Sequence, residues 1–199
     1  MTSVLSIMYY IAHYQSPLGN ITMASDGKSL VGLWFEGQKY YGAGIGLDCQ
    51  VRTTLPIYSL TCCWLNEFFS SREPRFTPPI LLLGSTFRQR VWNELLKIPY
   101  GSTVSYGAIA QRLAIAQPEV CVSARAVCGA VAHNPISLIV PCHRVVGGNG
   151  SLTGYAGGLE RKVQLLQMER SLASPALEEM RKDSSSKQFV DNFPFVKYH

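Results

Sequence analysis

The hydrophobic pattern of the chain changes near residue 85, and this change constrains the fold more than any other feature. Three segments within residues 7–35 (IMYYIAHY, NITMAS and SLVGLWF) are rich in β-branched and aromatic residues and are separated by SPLG and DGK. Because both separators are typical of tight turns, these segments predict an antiparallel meander. After residue 85 the apolar residues recur at helical spacing. The sequence therefore predicts an α+β chain, with a small N-terminal antiparallel-sheet domain followed by a mostly helical C-terminal domain.

The remainder of the N-terminal half is less regular. The Gly-rich stretch 36–57 is predicted to lack regular structure. Residues 58–70 predict a helix that also carries Cys62 and Cys63, because apolar side chains recur at helical spacing at Leu60, Trp64, Leu65 and Phe68. Three prolines within residues 72–80 favour a domain linker or an extended strand.

Several short helices are predicted in the C-terminal half. Thr86 and Gln89 form a capping-box pattern at the start of the first helix, whose apolar stripe consists of Phe87, Val91, Leu95 and Ile98. Ser105 is a candidate cap for a second helix over 106–114, and Ser123 for a third over about 124–133.

The chain after the third helix contains a strand, a loop and a last helix by prediction. ISLIV at 136–140 has the composition of a short buried strand, and CHRV and a Gly-rich loop follow it. A final helix is expected from about Leu159 to Glu169, and residues 171–199 are expected to be a poorly ordered tail or an addition to the fold.

Charge and helix pattern together favour a nucleic-acid partner. Residues 86–170 contain nine basic and four acidic residues, whereas the flanking segments are each balanced, so the net charge of +5 comes from this block. Within it, the second and third helices form a helix-turn-helix pattern, and the third is rich in small residues and carries Arg125.

Other classes of protein are disfavoured by composition. No run approaches 18 apolar residues and the N-terminus lacks signal-peptide features, so neither a membrane span nor secretion is expected. The six cysteines include no C-x-x-C pair, which favours free thiols in a reducing, cytoplasmic compartment and no metal site.

Cys142 is the candidate nucleophile, since it follows an apolar segment and precedes a histidine and an arginine in IVPCHRV. A free cysteine with a pKa of about 8.5 is mostly protonated at neutral pH, so a reactive one needs a nearby base or cation. His143 and Arg144 are local candidates. Neighbours on an extended segment point to opposite sides, so a contact between Cys142 and His143 requires a turn or a bridging water.

PCHRV, the loop sequence GYAGG at 154–158 and the helix LERKVQLLQME together resemble the O6-alkylguanine-DNA alkyltransferase family, the methylated-DNA–protein-cysteine methyltransferases. The resemblance extends over residues 86–170 and includes FRQRVW, PYGSTVSYGAIA, ARAV and NPISLIVPCHRVVGGNGSLTGYAGGLERK. It implies a ribonuclease H-like N-terminal domain over 1–80, a DNA-binding and alkyl-acceptor domain over 86–170, and a tail over 171–199.

The resemblance also implies a single-turnover DNA repair reaction. The protein would flip O6-alkylguanine, and also O4-alkylthymine, out of double-stranded DNA approached through the minor groove, and would move the alkyl group irreversibly to Cys142. His143, acting through a water, and Glu169 would activate the thiol, while Asn134 would tie the recognition helix to the active-site segment. A monomer without cofactor or metal is expected, located in the cytoplasm or, in a eukaryote, the nucleus.

The resemblance assigns further residues to DNA and to the base. Arg125 would enter the vacated stack, with DNA contacts from its neighbours Ser123, Ala124 and Ala126, and Tyr106 would press on the phosphate beside the flipped nucleotide. The remaining pocket residues would be Val145, Val146, Tyr155, Gly157 and Gly158.

Departures from the family pattern qualify this picture. The connection at 114–123 is about five residues longer than in short members. Ser137 and Ala156 stand where some members have Pro and Ser, which predicts a roomier pocket and tolerance of alkyl groups larger than methyl. The spacing of His13, Cys49, Cys62 and Cys63 does not match the zinc site of some members.

Three other functions are open to such a chain. A non-catalytic lesion sensor of the alkyltransferase-like class would lack the cysteine that this chain keeps at position 142. A transcription regulator switched by methylation would need a metal-binding cysteine cluster, which residues 1–85 lack. A cysteine hydrolase would need an oxyanion-hole motif, and it would leave the basic block unexplained.

Overall fold

The structure is a computed structural model that describes residues 8–46, 49–116, 119 and 121–169. The predicted tail at 171–199 lies outside these residues, as does part of the long connection predicted at 114–123. Within the described ranges, every helix is too short or too polar to cross a membrane.

A four-stranded sheet forms the N-terminal part. Strands β1 (Tyr9–Ser16), β2 (Gly19–Ser25) and β3 (Leu30–Phe35) are antiparallel neighbours, which confirms the predicted meander. Gly19 and Gly27 have φ values of 107° and 100° in the two connecting turns, a region that glycine adopts without steric cost. Strand β4 (Cys49–Val51) pairs in parallel with β1 and lies inside the stretch predicted to be irregular. Its three residues are too short to leave a periodic signal.

Helix α1 (Pro56–Phe69) confirms the predicted helix and the position of Cys62 and Cys63 on it. Its buried side consists of Ile57, Tyr58, Thr61, Trp64, Leu65 and Phe68. The prediction that Leu60 belongs to this stripe is wrong, because that side chain is 45% exposed. At 100° per residue, Leu60 lies roughly 90° from the centre of the buried stripe.

Four helices follow: α2 (Thr86–Leu95), α3 (Tyr106–Ala116), α4 (Ala124–Ala132) and α5 (Leu159–Met168). The predicted caps of α3 and α4 are confirmed, since Ser105 Oγ accepts from Ala108 N–H and Ser123 Oγ from Ala126 N–H, each at 3.1 Å. The predicted capping box of α2 is wrong.

The cap of α2 is Ser85, one residue earlier than the pattern indicated. Its backbone is extended and its Oγ accepts from Arg88 N–H. The Gln89 amide instead donates to the carbonyls of Leu82 and Gly84, which precede the helix.

The segment 136–140 is not the predicted strand. Ile136 makes a single bridge to Leu33, and turns follow, with Leu138 at a φ of 70°. A short 3₁₀ helix (Cys142–Arg144) comes next, and then strand β6 (Val145–Val146), which pairs in parallel with β5 (Val104–Ser105). The composition of ISLIV indicated burial correctly, but the side-chain amide of Asn134 satisfies the backbone of this segment and allows it to coil.

One continuous core joins the sheet to the helices. It includes Leu33 and Phe35 from β3, Phe68 from α1, and Trp92 from α2. Buried side chains from both sides of the predicted boundary between residues 80 and 86 belong to this core. The division into two domains stays a prediction. Trp92 Nε1 donates to the Ala130 carbonyl at 2.8 Å and so links α2 to α4.

We predict that Trp92→Phe lowers the free energy of unfolding more than Trp34→Phe. Both indoles are about 1% exposed, but Trp34 Nε1 has no hydrogen-bond partner among the described residues, whereas Trp92 Nε1 does. The two variants lose similar packing, so the lost hydrogen bond should separate them by about 1 kcal/mol in urea unfolding. Equal destabilisation would show that the Trp92–Ala130 bond contributes nothing.

Candidate active site

Cys142 begins the 3₁₀ helix and is only 3% exposed. Its Sγ accepts a hydrogen bond from Asn134 Nδ2 at 3.1 Å, and its backbone N–H donates to the Val140 carbonyl at 2.8 Å. The thiol is therefore held in one orientation by polar contacts, and only a small part of its surface can be reached from outside.

The amide of Asn134 organises the backbone around this thiol. Besides Sγ, Nδ2 donates to the carbonyls of Ile136 at 3.2 Å and Val140 at 2.8 Å, and Oδ1 accepts from Ile136 N–H at 3.0 Å. Asn134 directly follows the last turn of α4 and is 4% exposed. It thus joins α4 to the segment that carries Cys142.

His143 and Arg144, the two residues after Cys142, form a buried polar cluster with Glu169. His143 Nε2 lies 2.8 Å from Glu169 Oε1, and Arg144 Nε and Nη2 each donate to the same carboxylate at 2.9 Å. Arg144 Nη1 also donates to the Ile98 carbonyl at 2.6 Å. Glu169, the residue after the last turn of α5, is 3% exposed.

The pKa values of this cluster follow from burial and pairing. Burial opposes ionisation of Glu169, but hydrogen bonds from His143 and Arg144 outweigh burial and lower its pKa to about 2. Burial lowers the pKa of His143, with the Glu169 carboxylate opposing it, so the imidazole is neutral at pH 7. His143 Nδ1 is buried without a hydrogen-bond partner among the described residues.

Burial is also the main influence on the Cys142 thiol, and it raises the pKa. The Asn134 hydrogen bond and the charge of Lys162 oppose this effect, because both favour the thiolate. The Cys142 thiol and the His143 imidazole are not hydrogen-bonded to each other, because Nε2 of the ring faces Glu169 and Nδ1 has no partner among the described residues. The 3₁₀ helix supplies a turn at these two residues, and a contact between their side chains through a bridging water stays a prediction.

Lys162 is a candidate site residue that the sequence analysis missed. It is fully buried on α5, and its Nζ donates to the carbonyls of Val145 at 2.6 Å and Thr153 at 2.8 Å. Burial lowers its pKa to about 8. The signal was present: Lys162 lies at helical spacing from Leu165, Leu166 and Glu169, so two charged residues stand on the buried stripe of one helix.

The predicted pocket residues lie around the loop 153–158. The Tyr106 hydroxyl is 3.3 Å from the carbonyls of both Thr153 and Gly154, and burial raises its pKa. A Cβ at Gly157 would lie 2.6 Å from the Tyr155 ring, so only glycine fits there. Gly158 has a φ of 93°, and Val145 and Val146 are both buried.

The residues predicted to contact DNA lie on another surface. Ser123, Ala124, Arg125 and Ala126 are all exposed at the start of α4, while Val127, Ala130 and Val131 on its other side are buried. The structure thus brings Cys142, His143, Asn134 and Glu169 together and leaves Arg125 outside this cluster on an open helix face.

A cavity of about 200 Å³ is lined by Tyr100, Pro141 and Arg144 among others, and so lies against the 3₁₀ helix. Cys142 does not line it, so this cavity is not the predicted base pocket. Among the described residues, no group of three or more His, Cys, Asp or Glu side chains could hold a metal ion.

Comparisons with known proteins agree with the motifs. The family described as "6-O-methylguanine DNA methyltransferase, DNA binding domain" matches residues 86–171. A protein of Mycobacterium tuberculosis H37Rv named methylated-DNA–protein-cysteine methyltransferase is 42% identical over 164 residues, which cover 81% of this chain and 94% of the relative. A protein of the same name from Haemophilus influenzae is 36% identical over 167 residues, covering 83% and 88% respectively.

Solved structures give the same result. The crystal structure of M. tuberculosis OGT in complex with DNA matches with a TM-score of 0.69 and 39% identity, covering 86% of this chain and 98% of that chain. The structure described as M. tuberculosis O6-methylguanine methyltransferase matches with a TM-score of 0.71 at the same identity, covering 86% and 99%.

We predict that Glu169 makes the stability of the protein depend on pH between about 4.5 and 2. Its pKa falls from 4.5 in the unfolded chain to about 2 in the folded one, so its contribution is complete above pH 4.5 and is lost as the pH falls towards 2. The shift corresponds to about 3 kcal/mol. Urea unfolding across this range should show a steeper decline for the wild type than for Glu169→Gln.

At pH 7 the same variant should be less stable by about 3 kcal/mol or more, because Arg144 and His143 then face no carboxylate. Parallel stability curves for the two proteins over this pH range would refute the assignment of the titration to Glu169.

Proposed function

The chain belongs to the methylated-DNA–protein-cysteine methyltransferase family, and we propose that it repairs DNA by moving an alkyl group from guanine O6 to its own Cys142. The observation that carries this proposal is that the Cys142 thiol accepts a hydrogen bond from the Asn134 amide, while the next residue, His143, is paired with buried Glu169. The family activity is that of a methylated-DNA–protein-cysteine S-methyltransferase, with DNA as the partner.

The reaction uses one Cys142 thiolate as the nucleophile and one guanine as the leaving group. The Cys142 sulfur attacks the carbon attached to O6, so a carbon–sulfur bond forms as the carbon–oxygen bond breaks. The bonding pair leaves with guanine, which takes up one proton in place of the one removed from the thiol. The product is a thioether, which has no route back to the thiol within this chemistry, so each molecule repairs one lesion.

His143 is suited to accept the thiol proton. Because ionised Glu169 can only accept, His143 Nε2 must donate to it, and Nδ1 is then the unprotonated ring nitrogen. We infer that Nδ1 receives the proton of Cys142 through one water. Glu169 stabilises the imidazolium that results, which is the nucleophile–base–orienter arrangement used by other covalent catalysts.

Lys162 would assist in two ways. Its positive charge favours the thiolate of Cys142, and its hydrogen bonds to Val145 and Thr153 hold the loop of the base pocket against the segment that carries the nucleophile. A lysine whose ammonium is bonded only to carbonyls keeps its net charge, so it acts on the thiolate without a competing carboxylate.

Access to O6 requires that the base leave the stack, at a cost of a few kcal/mol. We infer that α3 and α4 act as a helix-turn-helix in the minor groove, with Arg125 filling the vacated space. The exposure of Ser123, Ala124 and Ala126 beside it supports this role, since small side chains allow close approach of the helix.

Further features of the proposal follow from the family and the pocket. Tyr106 would contact the flipped nucleotide from its position against the loop 153–158. Ser137 and Ala156 in the wall favour alkyl groups larger than methyl, and O4-alkylthymine is a second expected substrate. A monomer is expected to act on DNA.

We predict that Cys142→Ala abolishes alkyl uptake and retains DNA binding. Intact-mass measurement after incubation with duplex DNA containing O6-methylguanine should show one added methyl group on the wild type and none on the variant. Peptide mapping should place the adduct at residue 142, with the exposed Cys63 and Cys128 as internal controls. Any methyl transfer onto the variant would eliminate the mechanism.

We predict that Arg125→Ala slows repair of duplex DNA roughly 10- to 100-fold, because an unfilled stack makes extrusion of the base less favourable. Reaction with free O6-benzylguanine needs no extrusion and should change little. Arg72→Ala, which removes an exposed arginine far from α4 in sequence, is the charge-matched control. An equal loss of reaction rate with duplex DNA and with free O6-benzylguanine would contradict the role of Arg125.

A further inference from the structure

Tyr40 stacks on His133, a contact that no step of the proposed reaction uses. Tyr40 lies in the Gly-rich loop 36–46 that follows β3, and His133 is the residue that ends α4. The two ring centroids are 3.9 Å apart, with 26° between the ring planes. The stack therefore joins the N-terminal sheet region to the last turn of the helix that carries Arg125 in its first turn.

The backbone of Tyr40 is held in an unfavourable conformation at this point. Its φ is 59°, in the left-handed region, where the Cβ of a side chain crowds the following carbonyl. A glycine would adopt this φ without that cost, so the conformation indicates that the tyrosine ring has a use.

The loop presents this ring from a position that is held on both sides. Gln38 Oε1 accepts from Phe35 N–H at 2.9 Å, and Gln38 N–H donates to the Phe35 carbonyl at 3.2 Å, which fastens the loop to the end of β3. On the other side, Ala43 N–H donates to the Tyr40 carbonyl at 3.1 Å and closes a turn. The ring can therefore act as a support for the residue that it contacts.

His133 passes the contact on to the helix backbone. Its Nδ1 lies 2.7 Å from the Gly129 carbonyl, and because a carbonyl can only accept, Nδ1 carries the hydrogen. The backbone N–H of His133 donates to the Ala130 carbonyl at 3.2 Å, so the side chain supplies Gly129 with a hydrogen bond at the helix end. Tyr40, His133 and Gly129 thus form a chain of contacts, called the α4 clamp below.

Helix α4 needs support from such contacts. It has nine residues, whereas isolated helices shorter than about 12 residues are marginal in water. Gly129 weakens it further, because glycine loses more backbone entropy than any other residue, and a Cβ at this position would meet nothing within 4 Å. The side chains of the first turn, including Arg125, are exposed, so contacts farther along the helix determine where this turn lies.

We propose that Tyr40 is a positioning residue for Arg125: through the α4 clamp it fixes the last turn of α4, and so it sets where Arg125 meets DNA relative to Cys142. This inference rests on the proposed function, in which Arg125 enters the duplex. The clamp acts on the helix and takes no part in the making or breaking of bonds.

The Cys142 thiol is held by contacts that do not involve the clamp. Asn134 directly follows His133, but its side chain makes four hydrogen bonds of its own, to Ile136, Val140 and Cys142. Loss of the clamp should therefore impair the reaction with duplex DNA and spare the reaction of the sulfur with a free base.

The test compares two single-turnover rates within each protein: with duplex DNA containing O6-methylguanine, below saturation, and with free O6-benzylguanine. Tyr40→Gly removes the ring and also relieves the left-handed backbone. It should lower the duplex rate about 5- to 10-fold, the size expected for one aromatic contact, and leave the free-base rate nearly unchanged. Tyr40→Phe keeps the ring and should keep both rates.

Tyr41 offers a matched control in the same loop. It has the same exposed fraction as Tyr40, 46%, but its ring contacts Trp34 and its hydroxyl is hydrogen-bonded to Thr22. Tyr41→Gly makes the same substitution outside the clamp and should keep the wild-type ratio of the two rates. A lower urea midpoint for Tyr40→Gly than for Tyr41→Gly, together with equal losses on both substrates, would show a general loss of structure and overturn the positioning role.

A double variant distinguishes positioning from a direct contact of Tyr40 with DNA. His133→Ala removes both the stack and the hydrogen bond to Gly129, so it should lower the duplex rate at least as much as Tyr40→Gly. If Tyr40 acts only through His133, the double variant should lose no more than His133→Ala alone. Losses that multiply would show that Tyr40 acts independently of His133 and would overturn the proposal.

The failure of this inference and the failure of the proposed function give different results. An unchanged ratio in Tyr40→Gly, in an experiment where Arg125→Ala lowers the ratio, would overturn the positioning role while alkyl transfer stands. Absence of methyl transfer by the wild type from duplex DNA would overturn the proposed function, and the positioning role with it.

Discussion

The position of the Cys142 sulfur depends on the side-chain amide of Asn134. Its Nδ2 serves two carbonyls and the Cys142 sulfur, and its oxygen accepts a backbone N–H, all within eight residues of chain. These bonds replace the ladder that a strand would provide, so the segment can coil, with Leu138 in the left-handed region. The same amide places a polar donor on a buried thiol, where an apolar neighbour would leave the thiol inert.

Helix α5 contributes two buried charges of opposite sign to the site. Glu169, just beyond its last turn, neutralises Arg144 and orients His143, while Lys162 Nζ donates to the carbonyls of Val145 and Thr153. Buried charges are costly unless they are paired or fully hydrogen-bonded, and both conditions are met here. The helix therefore fixes the imidazole, the loop and the local electric field of the thiol together.

The N-terminal sheet region is part of the site's support. Gln38 and Lys39, just after β3, bond the segment before Cys142 and the loop 153–158. Tyr40, in the same loop, stacks on His133 at the end of α4 with ring centroids 3.9 Å apart. One loop of the sheet region thus contacts the segment before Cys142, the loop 153–158 and the end of α4.

The sequence alone determined many of the local elements and the family. Turn residues between period-2 segments fixed the meander, Ser105 and Ser123 fixed two helix starts, and PCHRV with its flanking blocks identified the family. These features depend on neighbours in the chain, so they can be read without coordinates. Neither β4 nor the cap at Ser85 was predicted, because a strand of three residues and one serine among several leave too weak a pattern in the sequence.

Tertiary structure alone decided which side chains are buried together. The coil at 136–140, the burial of Lys162 and the meeting of Gln38 with Ser137 each depend on contacts between residues distant in the chain or on a side chain replacing backbone bonds. A lysine in LERK or a glutamine after a strand has the same local pattern whether it faces water or the core. Only the packing of α5 and the β3 loop against the Cys142 segment removed water from these groups, and that removal of water turned ordinary polar residues into candidate parts of a reactive site.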